Sequence, residues 1–245
     1  MTQAPLPVLD DYWDRGDGRQ QAVNALFDRG AAHYDWICRA MSFGSGQKYR
    51  HDALARAGIG PGMAVLDVGT GTGLLAREAL ALVGRTGRVT GVDPSSGMIA
   101  AFRTRTAIGL VRGVGERLPF ADGRFDVVTM GYALRHVADL DEAFTEYRRV
   151  LKPGGRVLLL EITAPQSRAG RSLARAYFRG VVPLVARIGT GSADAARLMR
   201  FYWDTIAACV PVAAVVASLA RAGFDAPRCD VHQAIFSEYS AVRAA

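Results

Sequence analysis

The chain is short of cysteine, histidine and lysine, and each shortage removes a class of function. Its three cysteines, Cys38, Cys209 and Cys229, lie far apart among 245 residues. None forms a Cys-x-x-Cys pair, so neither a zinc site nor a disulfide framework is expected. The four histidines are equally scattered, and no metal is expected. Of the 30 basic residues only Lys48 and Lys152 are lysine. No run of five basic residues occurs, so the net charge of +7 points to no nucleic-acid partner. The most apolar stretch, 206–220, contains Pro211 and is too short for a transmembrane segment. Residues 1–14 carry prolines and acids and no charged-then-apolar leader. A cytoplasmic location is therefore expected, with peripheral contact to an anionic membrane left open.

What the chain has in plenty is apolar side chains, half of all residues, with an ordinary charged fraction. That balance suits one α/β domain with a full core. Residues 1–18 read as a loose lead-in. Apolar spacings over 19–57 predict an N-terminal helical cap. From Met63 strand and helix patterns alternate, which predicts a parallel sheet covered on both faces. The strands fall at 64–68, 89–92, 110–111, 125–130 and 156–160. Helices fall at 74–83, from Pro94 as first helical residue to about 105, and at 140–150, stopped by Lys152-Pro153-Gly154-Gly155. Beyond Pro165, helices are expected over 171–188, 193–206 and 213–223, then short strands near 228–231 and 234–239. The segments 1–57, 58–165, 166–210 and 211–245 thus read as cap, cofactor-binding core, helical lid and closing elements of one domain.

The most specific signal is Val65-Leu66-Asp67-Val68-Gly69-Thr70-Gly71-Thr72-Gly73. A strand runs into an acid, three glycines follow at alternate positions, and a helix begins. Glycine permits positive φ and close backbone approach, and the helix start offers unpaired N–H groups. The dinucleotide fingerprint is G-x-G-x-x-G, but position 74 is leucine here. The carboxylate of Asp67 would repel a pyrophosphate and attract an ammonium. The acid-x-G-x-G-x-G form resembles motif I of class I S-adenosylmethionine (SAM) methyltransferases.

Ligands of such sheets bind at the carboxyl ends of the strands. Asp93, ending strand two, can accept from both hydroxyls of a ribose or cap the next helix. Met98 can pack on an adenine face or simply fill the core.

Several segments together resemble the ubiquinone/menaquinone biosynthesis C-methyltransferase family. They are Leu26-Phe27-Asp28 with Ala31-Ala32-His33-Tyr34-Asp35, Met41-Ser42-Phe43-Gly44, and Gly91-Val92-Asp93-Pro94-Ser95 with Met98. Glu116-Arg117-Leu118-Pro119-Phe120, Tyr132-Ala133-Leu134-Arg135-His136 and the Leu151-Lys152-Pro153-Gly154-Gly155 turn complete the set. The resemblance implies a seven-strand class I, Rossmann-like α/β fold with SAM as cofactor. It implies a cofactor site of Asp67, Gly69, Thr70, Gly71, Thr72, Gly73, Asp93, Pro94 and Met98, with Tyr34 covering the methionine end. Where the family usually has Asp-Ala before its Glu-x-Leu-Pro-Phe segment, this chain has Val114-Gly115. Adenine is then expected to meet groups near Gly115 and Glu116. The family's Phe-Gly-Leu-Arg-Asn reads Tyr132-Ala133-Leu134-Arg135-His136, and its Trp-Arg pair reads Tyr49-Arg50. The departures fall on the substrate side.

Methyl transfer from a sulfonium is an in-line displacement governed by proximity and orientation. A phenol ring becomes a competent carbon nucleophile once its hydroxyl ionises, ordinarily near pH ~10. Arg135 is the candidate to stabilise the phenolate, unless it pairs with Asp139 or Glu142. His136 is a candidate base, and Tyr132 either binds the acceptor oxygen or packs. Tyr177, Phe178, Phe201, Tyr202 and Trp203 line a lid or form core. The expectation is SAM-dependent methylation of a lipophilic small molecule, most simply at a quinol or aromatic ring carbon. Methylation at oxygen or nitrogen of a specialised metabolite or phospholipid, and SAM binding without transfer, are the alternatives. A homodimer is left open.

Overall fold

The computed structural model describes Tyr12 and residues 18–103 and 108–245. The lead-in expected over 1–18 lies outside the described residues apart from Tyr12 and Gly18. The chain opens with helices α1 (Arg19–Gly30), α2 (Tyr34–Met41) and α3 (Ser45–Arg56), with one tight turn, Ala31–His33, before α2. Then come β1 (Ala64–Val68), α4 (Leu74–Val83), β2 (Arg88–Asp93), α5 (Ser96–Arg103), β3 (Gly109–Arg112) and β4 (Phe125–Gly131). A tight turn, Leu134–His136, leads to α6 (Leu140–Val150) and β5 (Leu151–Ile162). Helices α7 (Arg168–Arg175), α8 (Val182–Thr190), α9 (Ala193–Ala208) and α10 (Val212–Arg221) follow, and β6 (Phe224–His232) and β7 (Phe236–Arg243) close the sheet.

Among the described residues the sheet has seven strands in the order β3-β2-β1-β4-β5-β7-β6. The order reverses between β1 and β4, the crevice where open α/β sheets bind ligands. β1 through β5 pair in parallel, while β7 runs antiparallel to both β5 and β6. In β1, Val65, Leu66, Asp67 and Val68 are all buried, as in a strand covered on both faces. Helix α6 shows how the cover is made. Asp139 caps it by accepting from Asp141 N and Glu142 N, and Leu140, Ala143, Phe144, Tyr147 and Val150 form its buried stripe.

Four expectations need correction. Pro94 is not the first helical residue: α5 opens at Ser96, and Ser95 Oγ accepts from Met98 N at 3.1 Å. The 171–188 helix begins earlier, at Arg168, and is interrupted by a π-helical turn over Ala176–Val181. The Lys152–Gly155 turn is part of β5, as an irregularity facing the register shift between Phe125 and Val127. The sheet is mixed, and its last hairpin is longer than expected. That hairpin reverses through Gln233 and Ala234 at φ 51 and 61, residue types that do not advertise positive φ.

Candidate active site at the carboxyl ends of the strands

The cofactor side is built from the loop after β1. Asp67 is buried, and its carboxylate accepts from Thr70 Oγ1 at 2.7 Å and Thr129 Oγ1 at 2.8 Å. Gly69, Gly71 and Gly73 all take positive φ, at 64, 57 and 84. A Cβ on Gly69 would lie 2.6 Å from Ala133, and one on Gly73 would strike the Phe102 ring. A Cβ on Gly71 would meet nothing within 4 Å. The first and third glycines are thus required by protein packing, and the middle one faces an open cradle.

Asp93 holds that cradle in shape. One carboxylate oxygen accepts from Gly71 N and the other from Ser95 N, each at 2.8 Å. The cap of α5 falls to Ser95, which leaves Asp93 with acceptor capacity for ribose hydroxyls. Burial raises both Asp67 and Asp93 to about 6, partly offset by their hydrogen bonds.

The N-terminal helices are stitched onto this loop. Asp28 of α1 accepts from Ser95 Oγ at 2.5 Å and from Gly97 N at 2.7 Å. Asp35 of α2 takes a short hydrogen bond from Thr72 Oγ1 and pairs with Arg77 at 3.2 Å. Tyr34, between them, lines the same cleft, as do Thr70, Thr72, Pro94, Met98, Tyr132 and His136. Gly115 and Glu116 do not line it, contrary to the sequence reading. Glu116 turns to Ala138 N at 2.5 Å, and Gly115 packs over the Tyr147 hydroxyl.

A second cavity, of about 600 Å³, opens beside the first. Its walls come from α2 and α3, the π-helical turn, Tyr202 of α9 and the β6–β7 hairpin. Cys38, Met41, Tyr177, Phe178 and Phe236 make much of it apolar. Among the described residues, Arg50 and Tyr132 are the two that line both cavities. The Arg50 guanidinium lies 5.3 Å from the Tyr132 ring centre, and no described carboxylate pairs with it. Tyr132 sits at φ 60, a conformation unusual for a bulky residue and met most often at functional sites. Burial pushes the Tyr132 and Tyr34 phenols above their ordinary pKa, so both stay neutral.

Arg135 is placed differently from its reading in the sequence. It is fully buried and lines neither cavity. It pairs with Glu161 at 2.5 Å rather than with Asp139 or Glu142, and its Nε donates to Thr205 Oγ1 at 2.9 Å. Its guanidinium lies 4.2 Å from the Tyr202 ring centre. Burial opposes its charge most strongly, but Glu161, Tyr202 and Tyr34 together outweigh it, so its pKa rises above the ordinary arginine value. Among the described residues the arginine that lines both cavities is Arg50, which the sequence shows only as a departure at Tyr49-Arg50. His136 does line the cofactor cleft, stacked on Phe201 at 5.5 Å and edge-on to Phe27 at 5.2 Å.

An open glycine cradle, two buried carboxylates and a covering tyrosine fit SAM. With the fold, they define a class I SAM-dependent methyltransferase. The match to known proteins narrows the class: residues 15–234 fit the family model described as the ubiE/COQ5 methyltransferase family, and the chain belongs to that family. A demethylmenaquinone methyltransferase of Symbiobacterium thermophilum is 40% identical over 174 residues, 68% of this chain and 69% of that one. A Shewanella ubiquinone/menaquinone biosynthesis C-methyltransferase is 36% identical over 185 residues, 73% of this chain and 74% of that one. Solved structures share the fold at low identity. A possible histamine N-methyltransferase of Thermotoga maritima superposes with TM-score 0.64 at 19% identity, covering 89% of this chain and 99% of that one. A Haemonchus contortus phosphoethanolamine N-methyltransferase bound to S-adenosyl-L-methionine gives TM-score 0.61 at 18% identity, covering 98% of this chain and 61% of that one.

Proposed function

We propose that this enzyme methylates a ring carbon of a hydroxylated, quinol-type aromatic that carries an apolar tail. The observation that carries the reading is the Arg50 guanidinium, unpaired by any described carboxylate, at the junction of the cofactor cleft and an apolar cavity. The names of the relatives, which act in menaquinone and ubiquinone biosynthesis, favour the same acceptor class. When bound, SAM supplies an electrophilic methyl carbon on a sulfonium. The chain's own residues do the rest.

Arg50 holds the negative charge of the ionised ring hydroxyl, which raises electron density on the adjacent ring carbon. A guanidinium suits this task because it stays charged. Tyr132 and Tyr34, both neutral, wall the junction and exclude water. His136 takes the proton that the ring releases, as an imidazole can. Arg135, tied to Glu161 and stacked on Tyr202, positions the floor of the acceptor cavity and touches no acceptor. The helices after Pro165 act as a lid over the tail. A peripheral contact with a lipid surface belongs to the same reading, because such a tail resides in a bilayer.

The test is transfer from methyl-labelled SAM to a panel of short-tailed quinols of the ubiquinone and menaquinone types, with the product read by NMR. Label on a ring carbon supports the reading. Label on oxygen or nitrogen, or no transfer to any quinol, contradicts it.

A further inference from the structure

The segment from 162 to 193 contains five arginines and no acid. All five are exposed. Only Arg179 pairs with a described carboxylate, Asp204 at 3.6 Å. Between these arginines stand large apolar side chains in water. Leu173 is 74% exposed, Leu184 59% and Ile188 76%. Val181, Leu184, Val185 and Ile188 recur at i, i+3, i+4 and i+7, so they share one helix face. The opposite face of α8 is satisfied: Val182, Pro183 and Ala186 are buried against α9 and its neighbours. The exposed stripe is therefore not misplaced core.

The stripe adjoins the acceptor cavity. Tyr177 and Phe178, in the turn between α7 and α8, line that cavity, and Tyr177 Oη donates to Met41 O at 2.7 Å. That bond ties the turn to the loop bearing Phe43, which also lines the cavity and is 88% exposed.

We propose that the α7–α8 face docks on an anionic lipid bilayer, with its apolar stripe among the acyl chains and its arginines on the headgroups. This rests on the reading of a lipophilic acceptor, whose tail then passes from the bilayer past Phe43 into the cavity. Charge favours this occupant. Exposed apolar and cationic side chains that alternate along one segment match an interfacial anchor. A two-fold contact with a second copy would place the same arginines against themselves. The apolar stripe would gain nothing from a nucleic-acid backbone.

The experiment is sedimentation of the full chain with vesicles of equal parts phosphatidylglycerol and phosphatidylcholine, and with phosphatidylcholine alone. Binding to the anionic vesicles alone, weakened by salt, is expected. The variant Arg168→Gln/Arg171→Gln/Arg175→Gln should weaken it by roughly 100-fold, at about five-fold for each arginine. Leu184→Asp/Ile188→Asp should abolish it. Both variants should keep wild-type SAM affinity and wild-type turnover of a tailless, water-soluble quinol, which shows that they fold. Equal sedimentation of wild type and variants, or of both vesicle types, overturns the proposal. So does a wild-type dimer that the Leu184/Ile188 variant breaks, since the stripe then belongs to a second copy. Vesicle binding without methylation of any quinol would sink the acceptor reading and leave the docking face standing. Quinol methylation without vesicle binding would do the reverse.

Discussion

The cofactor side and the acceptor side of this site are held in opposite ways. The cofactor side is a loop fixed by backbone geometry: three positive-φ glycines and two carboxylates that hydrogen-bond within or next to it. The acceptor side is assembled at long range. Arg50 comes from α3, Tyr132 from the end of β4, Tyr202 from α9 and Phe236 from β7. Beneath it, a buried Arg135–Glu161 pair joins the turn after β4 to β5. A site that must receive one fixed cofactor can be written into a short stretch of chain. A site that must fit a particular acceptor draws on distant elements, each free to vary separately.

The largest effect that would sharpen this contrast is on stability. Arg135→Ala leaves Glu161 buried without its cation, and should cost about 3–5 kcal/mol. Thermal denaturation of the cofactor-free protein reads it as a marked fall in Tm. An unchanged Tm with slow methyl transfer would return Arg135 to the acceptor and break the contrast.

Gly71→Val comes next. It fills the open cradle and forces a β-branched residue to φ 57. SAM affinity should fall by roughly 100-fold or more, with little change in the circular dichroism spectrum. Retained affinity would mean that the cofactor does not lie on this loop.

Arg50→Ala should lower kcat by about 100-fold, the usual cost of losing one charge-stabilising donor. Its SAM dissociation constant should stay near the wild-type value. A loss of SAM affinity equal to the loss of kcat would place Arg50 on the cofactor side instead.

The pH dependence separates the halves more gently. Asp67 and Asp93, raised to about 6 by burial, must ionise to receive a cationic cofactor and its ribose. SAM should bind more weakly at pH ~5 than at pH ~7, by roughly tenfold for each of the two carboxylates, as measured by calorimetry. Stability of the cofactor-free protein runs the other way. These carboxyls have folded pKa values above their unfolded ones. Their contribution to stability is complete below about pH 4 and is lost as pH rises through about 6. Affinity that is flat over this range would show that neither carboxylate meets the cofactor.

The smallest effect is expected from His136→Asn, which installs the residue usual in the family. A fall in kcat of up to about tenfold, with the acidic limb of the pH profile removed, supports a base role. An unchanged profile assigns His136 to its stack with Phe27 and Phe201.

The same contrast explains what was legible in the sequence. The glycine loop, Asp67 and Asp93 are legible directly, because the acid and the alternate glycines form one contiguous pattern and Asp93 ends the next strand. Tyr34 and Asp28 were visible only through the family resemblance, since nothing in their spacing shows that α1 and α2 fold over the loop. Arg135 carried a conspicuous charge beside the right strand. Its partner Glu161 stands at the end of another strand, and only the sheet order brings the two together. Arg50 lies in a largely polar helix, and no local pattern marks which of 28 arginines will face a cavity. The signal that could have found it was Tyr49-Arg50 read as a positional counterpart of the family's Trp-Arg pair. No local pattern shows that Glu116 has a backbone donor at Ala138.

The most direct test of the account is a crystal structure of the enzyme with S-adenosylhomocysteine and a quinol acceptor. The account predicts a ring hydroxyl within hydrogen-bond distance of the Arg50 guanidinium and the ring against Tyr132. It predicts the tail leaving the cavity past Phe43 and Tyr177. A ring bound away from Arg50, or one held by Arg135 after that side chain has left Glu161, would contradict it.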